Sequence, residues 1–90
     1  MEISFSELKN FELLKIMSEL SVIKDRLTLF RNKYSVDFTT FEISVKAAEE
    51  QDITKWDDYI EWKAYEAKFH SLTLRLSEIE DAVDFKITKD

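Results

Sequence analysis

The stretch Asp57-Asp58-Tyr59-Ile60-Glu61-Trp62 sets three carboxylates and two large aromatic rings into six positions. Acid–base catalysis with Asp57, Asp58 and Glu61 would need a cleft and environments that push their pKa values apart. A carboxylate-bridged metal pair would need Glu-x-x-His on two helices and a glutamate from each of two others. The single histidine, His70, has Ala67 three residues before it, so that motif fails, and Glu66 four residues before it makes a surface pair at best. The absence of cysteine removes thiolate chemistry, and the absence of glycine removes phosphate-cradling loops. No catalytic, cofactor-binding or metal site is expected.

A packing role accounts for the same six residues. Asp57 and Asp58 fall in the expected first turn of a helix, where negative charge favours the unpaired amides. Tyr59 and Trp62 are three apart and share a face. Asp58 is in phase with that face, and a hydrogen bond from the Tyr34 hydroxyl would satisfy both polar tips. Tyr34, Asp58, Tyr59 and Trp62 are thus expected to form a structural corner.

The elements that would position this corner are helical. The chain of 90 residues has neither glycine nor proline. Tight left-handed turns are therefore costly, and nothing interrupts a helix from within. The reading is one all-α domain spanning 1–90. Ser4 and Glu7 form a capping box. Behind it Leu13, Ile16, Leu20, Ile23, Leu27, Phe30 and Tyr34 repeat at 3-4 spacing, which predicts a helix over about 5–34. Asp37 is the expected cap of a short helix over about 38–50, with the acidic run to Asp52 ending it. Thr54 is the expected start of a third helix over about 55–86, with Trp62, Tyr65, Phe69, Leu72, Leu76, Ile79 and Val83 repeating the 3-4 pattern.

Folded antiparallel, the two stripes form a coiled-coil-like two-helix hairpin. Tyr34 then lies opposite Trp62 at the bend and Leu13 opposite Val83 at the open end. In this register Lys33 faces Glu61, Arg31 faces Glu66 and Glu19 faces Arg75, while Arg26 faces Lys68 with the wrong sign. One seam buries little for so many ordered residues. Phe11, Leu14, Met17, Val22 and Leu29 lie off the seam of the first helix and are expected to contact another chain. That chain is either a copy, completing a four-helix bundle, or a different protein.

The net charge of −6 argues against nucleic-acid binding by this chain alone and suits a basic partner. The sole basic concentration is Lys24, Arg26, Arg31 and Lys33. No stretch approaches the ~20 apolar residues of a membrane span, and the first fifteen residues lack the apolar core of a signal peptide. The expected location is the cytoplasm.

With Lys33-Tyr34 ending a long helix, Phe38 and Phe41 on a short one, and Asp58-Tyr59-Ile60-Glu61-Trp62 opening another, the chain resembles a type of small helical protein. These proteins, found in archaea and bacteria, are encoded beside toxins in antitoxin-like pairs. The motifs cover about a third of the chain directly. Ser35 departs from the glycine that such proteins carry after the tyrosine, where glycine would form a left-handed cap. The resemblance implies an antitoxin role, binding and neutralising a cognate toxin, with a structural or adaptor homodimer as the alternative.

Overall fold

The computed structural model describes the backbone of residues 4–89 and the side chains of residues 4–80. It contains three helices, α1 (Phe5–Tyr34), α2 (Phe38–Ala47) and α3 (Ile53–Lys89), and no strand among the described residues. Each boundary has a local cause. Ser4 Oγ accepts from the Glu7 N–H at 3.1 Å and opens α1. Asp37 Oδ1 accepts from the Thr40 N–H at 2.8 Å and opens α2. That helix ends at Ala47, three residues short of the expected end, and at Ala48 the backbone turns extended at φ −65°, ψ 131°.

The start of α3 differs from the sequence reading. Its cap is Asp52, whose Oδ1 accepts from the Lys55 N–H at 3.2 Å while its carbonyl accepts from the Trp56 N–H at 2.9 Å. Aspartate and threonine both cap well, and the acidic run that closes α2 also supplies the cap of α3. Asp57 and Asp58 consequently sit in the second turn, so the amide-end argument for their charge does not hold. At the other end the backbone stays helical to Lys89 rather than stopping near 86.

Between α1 and α2 the chain reverses through Ser35, which adopts a left-handed conformation at φ 58°, ψ 29° and donates its N–H to the Arg31 carbonyl at 2.7 Å. It is the one positive-φ residue described. A side chain in this region costs about 1 kcal/mol that glycine avoids. The turn is therefore made without glycine, at a cost.

Helix α1 packs on α3, and α2 packs on α3. Lys33 and Tyr34 meet Asp58, whereas Glu12 meets Arg75, so α1 and α3 run in opposite directions. Ile16, Leu20, Ile23, Leu27 and Phe30 of α1 are buried, with Phe41 of α2 and Tyr59, Trp62 and Leu72 of α3. Trp62 sits between Phe30 and Tyr34, at ring-centroid distances of 5.6 and 6.3 Å, rather than squarely opposite Tyr34. The Val83 side chain, and with it the expected layer with Leu13, lies outside the described residues.

This offset resets the charged flanks. Lys33 pairs with Asp58 at 2.6 Å, not with Glu61, and Arg75 pairs with Glu12 at 3.2 Å, not with Glu19. Glu66 accepts from Trp62 Nε1 at 3.2 Å, not from Arg31. Lys68, mismatched against Arg26 in the sequence register, lines a groove with Glu19 instead. Lys33 thus pairs one turn away from its expected partner on α3, and Arg75 two turns away on α1.

Ser35→Gly should stabilise the fold by about 1 kcal/mol, because the left-handed turn is retained and its side-chain clash removed. Thermal or urea denaturation would show a raised midpoint. An unchanged or lowered midpoint would mean that Ser35 carries no conformational cost.

Candidate functional site

Tyr34, Asp58, Tyr59 and Trp62 lie together where α1, α2 and α3 meet. The indole of Trp62 is fully buried, at 0% exposure. Phe30 stacks on it at an interplanar angle of 12°, Phe38 meets it edge-on at 5.5 Å, and Phe41 lies 5.1 Å away. Tyr59 is also buried, stacked on Phe38 at 5.9 Å, with its hydroxyl donating to Glu42 Oε2 at 2.7 Å. Every ring thus has an aromatic neighbour, and the polar ends of Trp62 and Tyr59 each find a carboxylate.

Asp58 is the polar centre of the corner. Its Oδ2 accepts from the Tyr34 hydroxyl and from Lys33 Nζ. Burial alone would push the Asp58 carboxyl up. The hydrogen bonds from Lys33 and Tyr34, with the Lys33 charge, outweigh it and hold the carboxyl below the ordinary aspartate range. Tyr34 moves the other way: burial first, then the hydrogen bond and charge of Asp58, raise its hydroxyl well above the usual tyrosine value. Tyr59 is raised too, chiefly by its hydrogen bond to Glu42. The corner therefore holds one carboxylate firmly ionised and two phenols firmly neutral. Asp57 and Glu61, its other two carboxylates, are solvent-exposed. Among the described residues no group of three or more histidine, aspartate or glutamate side chains converges to hold a metal ion.

The second set of candidates is a surface. Phe11, Leu14, Met17, Val22 and Leu29 are all exposed, from 55% for Leu29 to 72% for Phe11. They do not form one stripe. Phe11, Val22 and Leu29 are separated by nearly whole turns, with Leu14 beside them, and lie on the side of α1 away from α3. Met17 falls on a different flank, and Val22 also borders the groove between α1 and α3. A further outward stripe was missed: on α3, Ile53, Ile60 and Leu74 are exposed at heptad multiples, with Trp56 beside them. The 7-residue spacing was visible, but the inward stripe dominated the pattern.

The basic concentration does not become a patch. Lys24 and Arg31, seven apart, line a small cleft with Phe69. Arg26 and Lys33, also seven apart, fall on the opposite flank of α1, where Lys33 is already paired with Asp58. Among the described residues no helix is long and apolar enough to cross a membrane.

At neutral pH Tyr34→Phe should cost about 1–2 kcal/mol, the loss of one charge-assisted hydrogen bond, and Asp58→Asn at least as much, because Asp58 accepts two. Because the folded-state Asp58 pKa is lowered, its stabilisation is present above the unfolded value of about 4 and is lost as pH falls through the folded one. The wild-type protein should therefore weaken more steeply on acidification below about pH 4 than Asp58→Asn. Equal slopes in a denaturation series from neutral to acid pH would refute the pairing.

Comparison with known proteins adds a family and nothing finer. No curated protein matches the chain, and no solved structure does. The family described as "Uncharacterized protein MJ0235 family" matches residues 5–84, nearly the whole of α1 to α3. On that coverage the chain belongs to the MJ0235 family.

Proposed function

We propose that this chain is a protein-interaction module of the antitoxin type, which binds and neutralises a basic partner protein through the outer face of α1. The observation that carries the reading is the apolar stripe Phe11, Leu14 and Leu29, exposed at 72%, 64% and 55% on the face turned away from the molecule's own core. Apolar surface of this kind marks interaction sites when it is grouped rather than scattered. In this reading α1 and α3 act as a stiff antiparallel hairpin, clamped at the aromatic corner by α2, that presents the stripe along its length.

Charge supports the same reading. A chain of net charge −6 attracts a basic protein, speeds the encounter and repels acidic competitors. A toxin that acts on RNA or nucleotides has the required basic surface. Large side chains such as Phe11 then supply the anchoring contacts. The resemblance of the Lys33-Tyr34, Phe38, Phe41 and Asp58–Trp62 pattern to antitoxin-like proteins points in the same direction.

The test is co-expression with the products of the genes flanking its own. One of them should slow growth when expressed alone, and this chain should restore it. Phe11→Asp combined with Leu29→Asp should abolish the rescue while circular dichroism shows unchanged helicity. If no flanking product is toxic, or if the double variant protects as well as the wild type, the reading fails.

A further inference from the structure

A different face of the molecule carries a separate inference. Two open depressions lie along the line where α1 and α3 meet. One, of about 520 Å³, is lined by Val22, Ile23, Ala64 and Tyr65 between Glu19 and Lys68. The other, of about 330 Å³, holds Leu8 and Ile79 with Lys9, Glu12, Arg75 and Glu78. Glu12 and Glu19 are seven apart on α1, as are Lys68 and Arg75 on α3, so the depressions share one side of the helix pair. They form successive parts of one groove. On α3, Tyr59 and Lys68 are nine residues apart, which is half a turn out of phase. Helix α2, which stacks Phe38 on Tyr59, therefore covers the other side and leaves the groove open.

The charges of the groove are ordered. At each level one helix contributes an acid and the other a base: Lys9 with Glu78, Glu12 with Arg75, Glu19 with Lys68. The groove is neutral although the chain as a whole carries −6. Of these three pairs only Glu12 and Arg75 are bridged, at 3.2 Å. Among the described residues Lys9 Nζ is buried without a hydrogen-bond acceptor. A buried ammonium without a partner is costly, and Glu78 across the groove is not bridged to it.

We propose that this groove is the docking face for a second copy of the chain, related by a twofold axis running along the groove, so that each α1 lies on the other's α3. That operation keeps every residue at its level and exchanges the helices. Lys9 then faces the second copy's Glu78 and gains its acceptor, Glu12 faces Arg75, and Glu19 faces Lys68. Leu8 meets Ile79 in the same way, and Val22 meets Tyr65. The result is a four-helix bundle whose new contacts are self-complementary, as a twofold interface requires. From residue 5 to residue 23 the groove is roughly 27 Å long, and two helices are roughly 20 Å wide. That makes about 500 Å² on each copy and about 1,000 Å² for the pair, the lower bound for a specific interface. Charge and area thus both favour a copy of this chain as the occupant.

Light scattering coupled to gel filtration on the purified full chain tests the proposal without any partner protein, so its outcome is independent of the antitoxin reading. The wild type should have a mass near 21 kDa, twice 10.7 kDa. Val22→Glu, at an exposed position, should keep its helicity and weaken the dimer roughly a hundredfold. Lys68→Glu should weaken it roughly tenfold, and adding Glu19→Lys should restore it. A wild-type mass of 10.7 kDa up to about 0.5 mM would overturn the proposal. So would a dimer that survives Val22→Glu, or one broken instead by Phe11→Asp. Failure of the exchanged pair to recover would overturn the axis along the groove.

Discussion

The burial of one indole ring organises this molecule. Trp62 is the point at which all three helices touch, with Phe30 and Tyr34 of α1 and Phe38 and Phe41 of α2 against it. Helix α2 has only ten residues, too few to be stable alone, and its packing is on α3. It is held because its phenylalanines have Trp62 and Tyr59 to rest on. The carboxylates of Asp58, Glu42 and Glu66 are recruited to the same place because burying Tyr34, Tyr59 and Trp62 leaves their donors in need of acceptors. The cluster of acids and aromatics in residues 57–62 is thus a consequence of packing large amphipathic rings into a corner.

Two helices laid side by side can bury only one stripe each, and this limit shapes everything outside the corner. The core is a single row, from Ile16 to Phe30 on α1, facing Trp62 to Leu72 on α3. Among the described residues, large apolar side chains on the outer faces are left exposed. Because α2 leans over only one side of the helix pair, the other side remains a groove. The outer face of α1 and the groove meet at Val22 but are otherwise distinct, so occupation of one leaves most of the other free.

Much of this was legible in the sequence because it depends on periodicity and on strong local signals. The inward stripe of α1, the Asp37 cap, and the Tyr34–Asp58 contact all follow from residue type and phase. The parts that were not legible depend on where a helix sits relative to its neighbours. Asp52 looked like the end of α2 and proved to be the cap of α3, since the same carboxylate chemistry serves either role. Trp62 wedges between two α1 residues instead of facing one, and the charge pairs sit one to two turns from their expected partners; no sequence pattern encodes such a register. Val22 and Met17 belonged to one apolar set on composition, but only the placement of α3 shows that Val22 borders a groove and Met17 does not. The stranded ammonium of Lys9 has no sequence signature.

The position of the aromatic corner next to the bend also orders the way the chain comes together. The Tyr34–Asp58 and Tyr59–Glu42 contacts close segments of 24 and 17 residues, whereas Glu12 and Arg75 are 63 apart. Closing a short loop loses less entropy than closing a long one, and each contact made at the bend shortens the loop left for the next. Folding should therefore start at the corner and spread outward like a closing clasp, with the aliphatic tips engaging last. Amide exchange should be slowest near Trp62 and quicken steadily along both long helices toward Leu13 and Ile79.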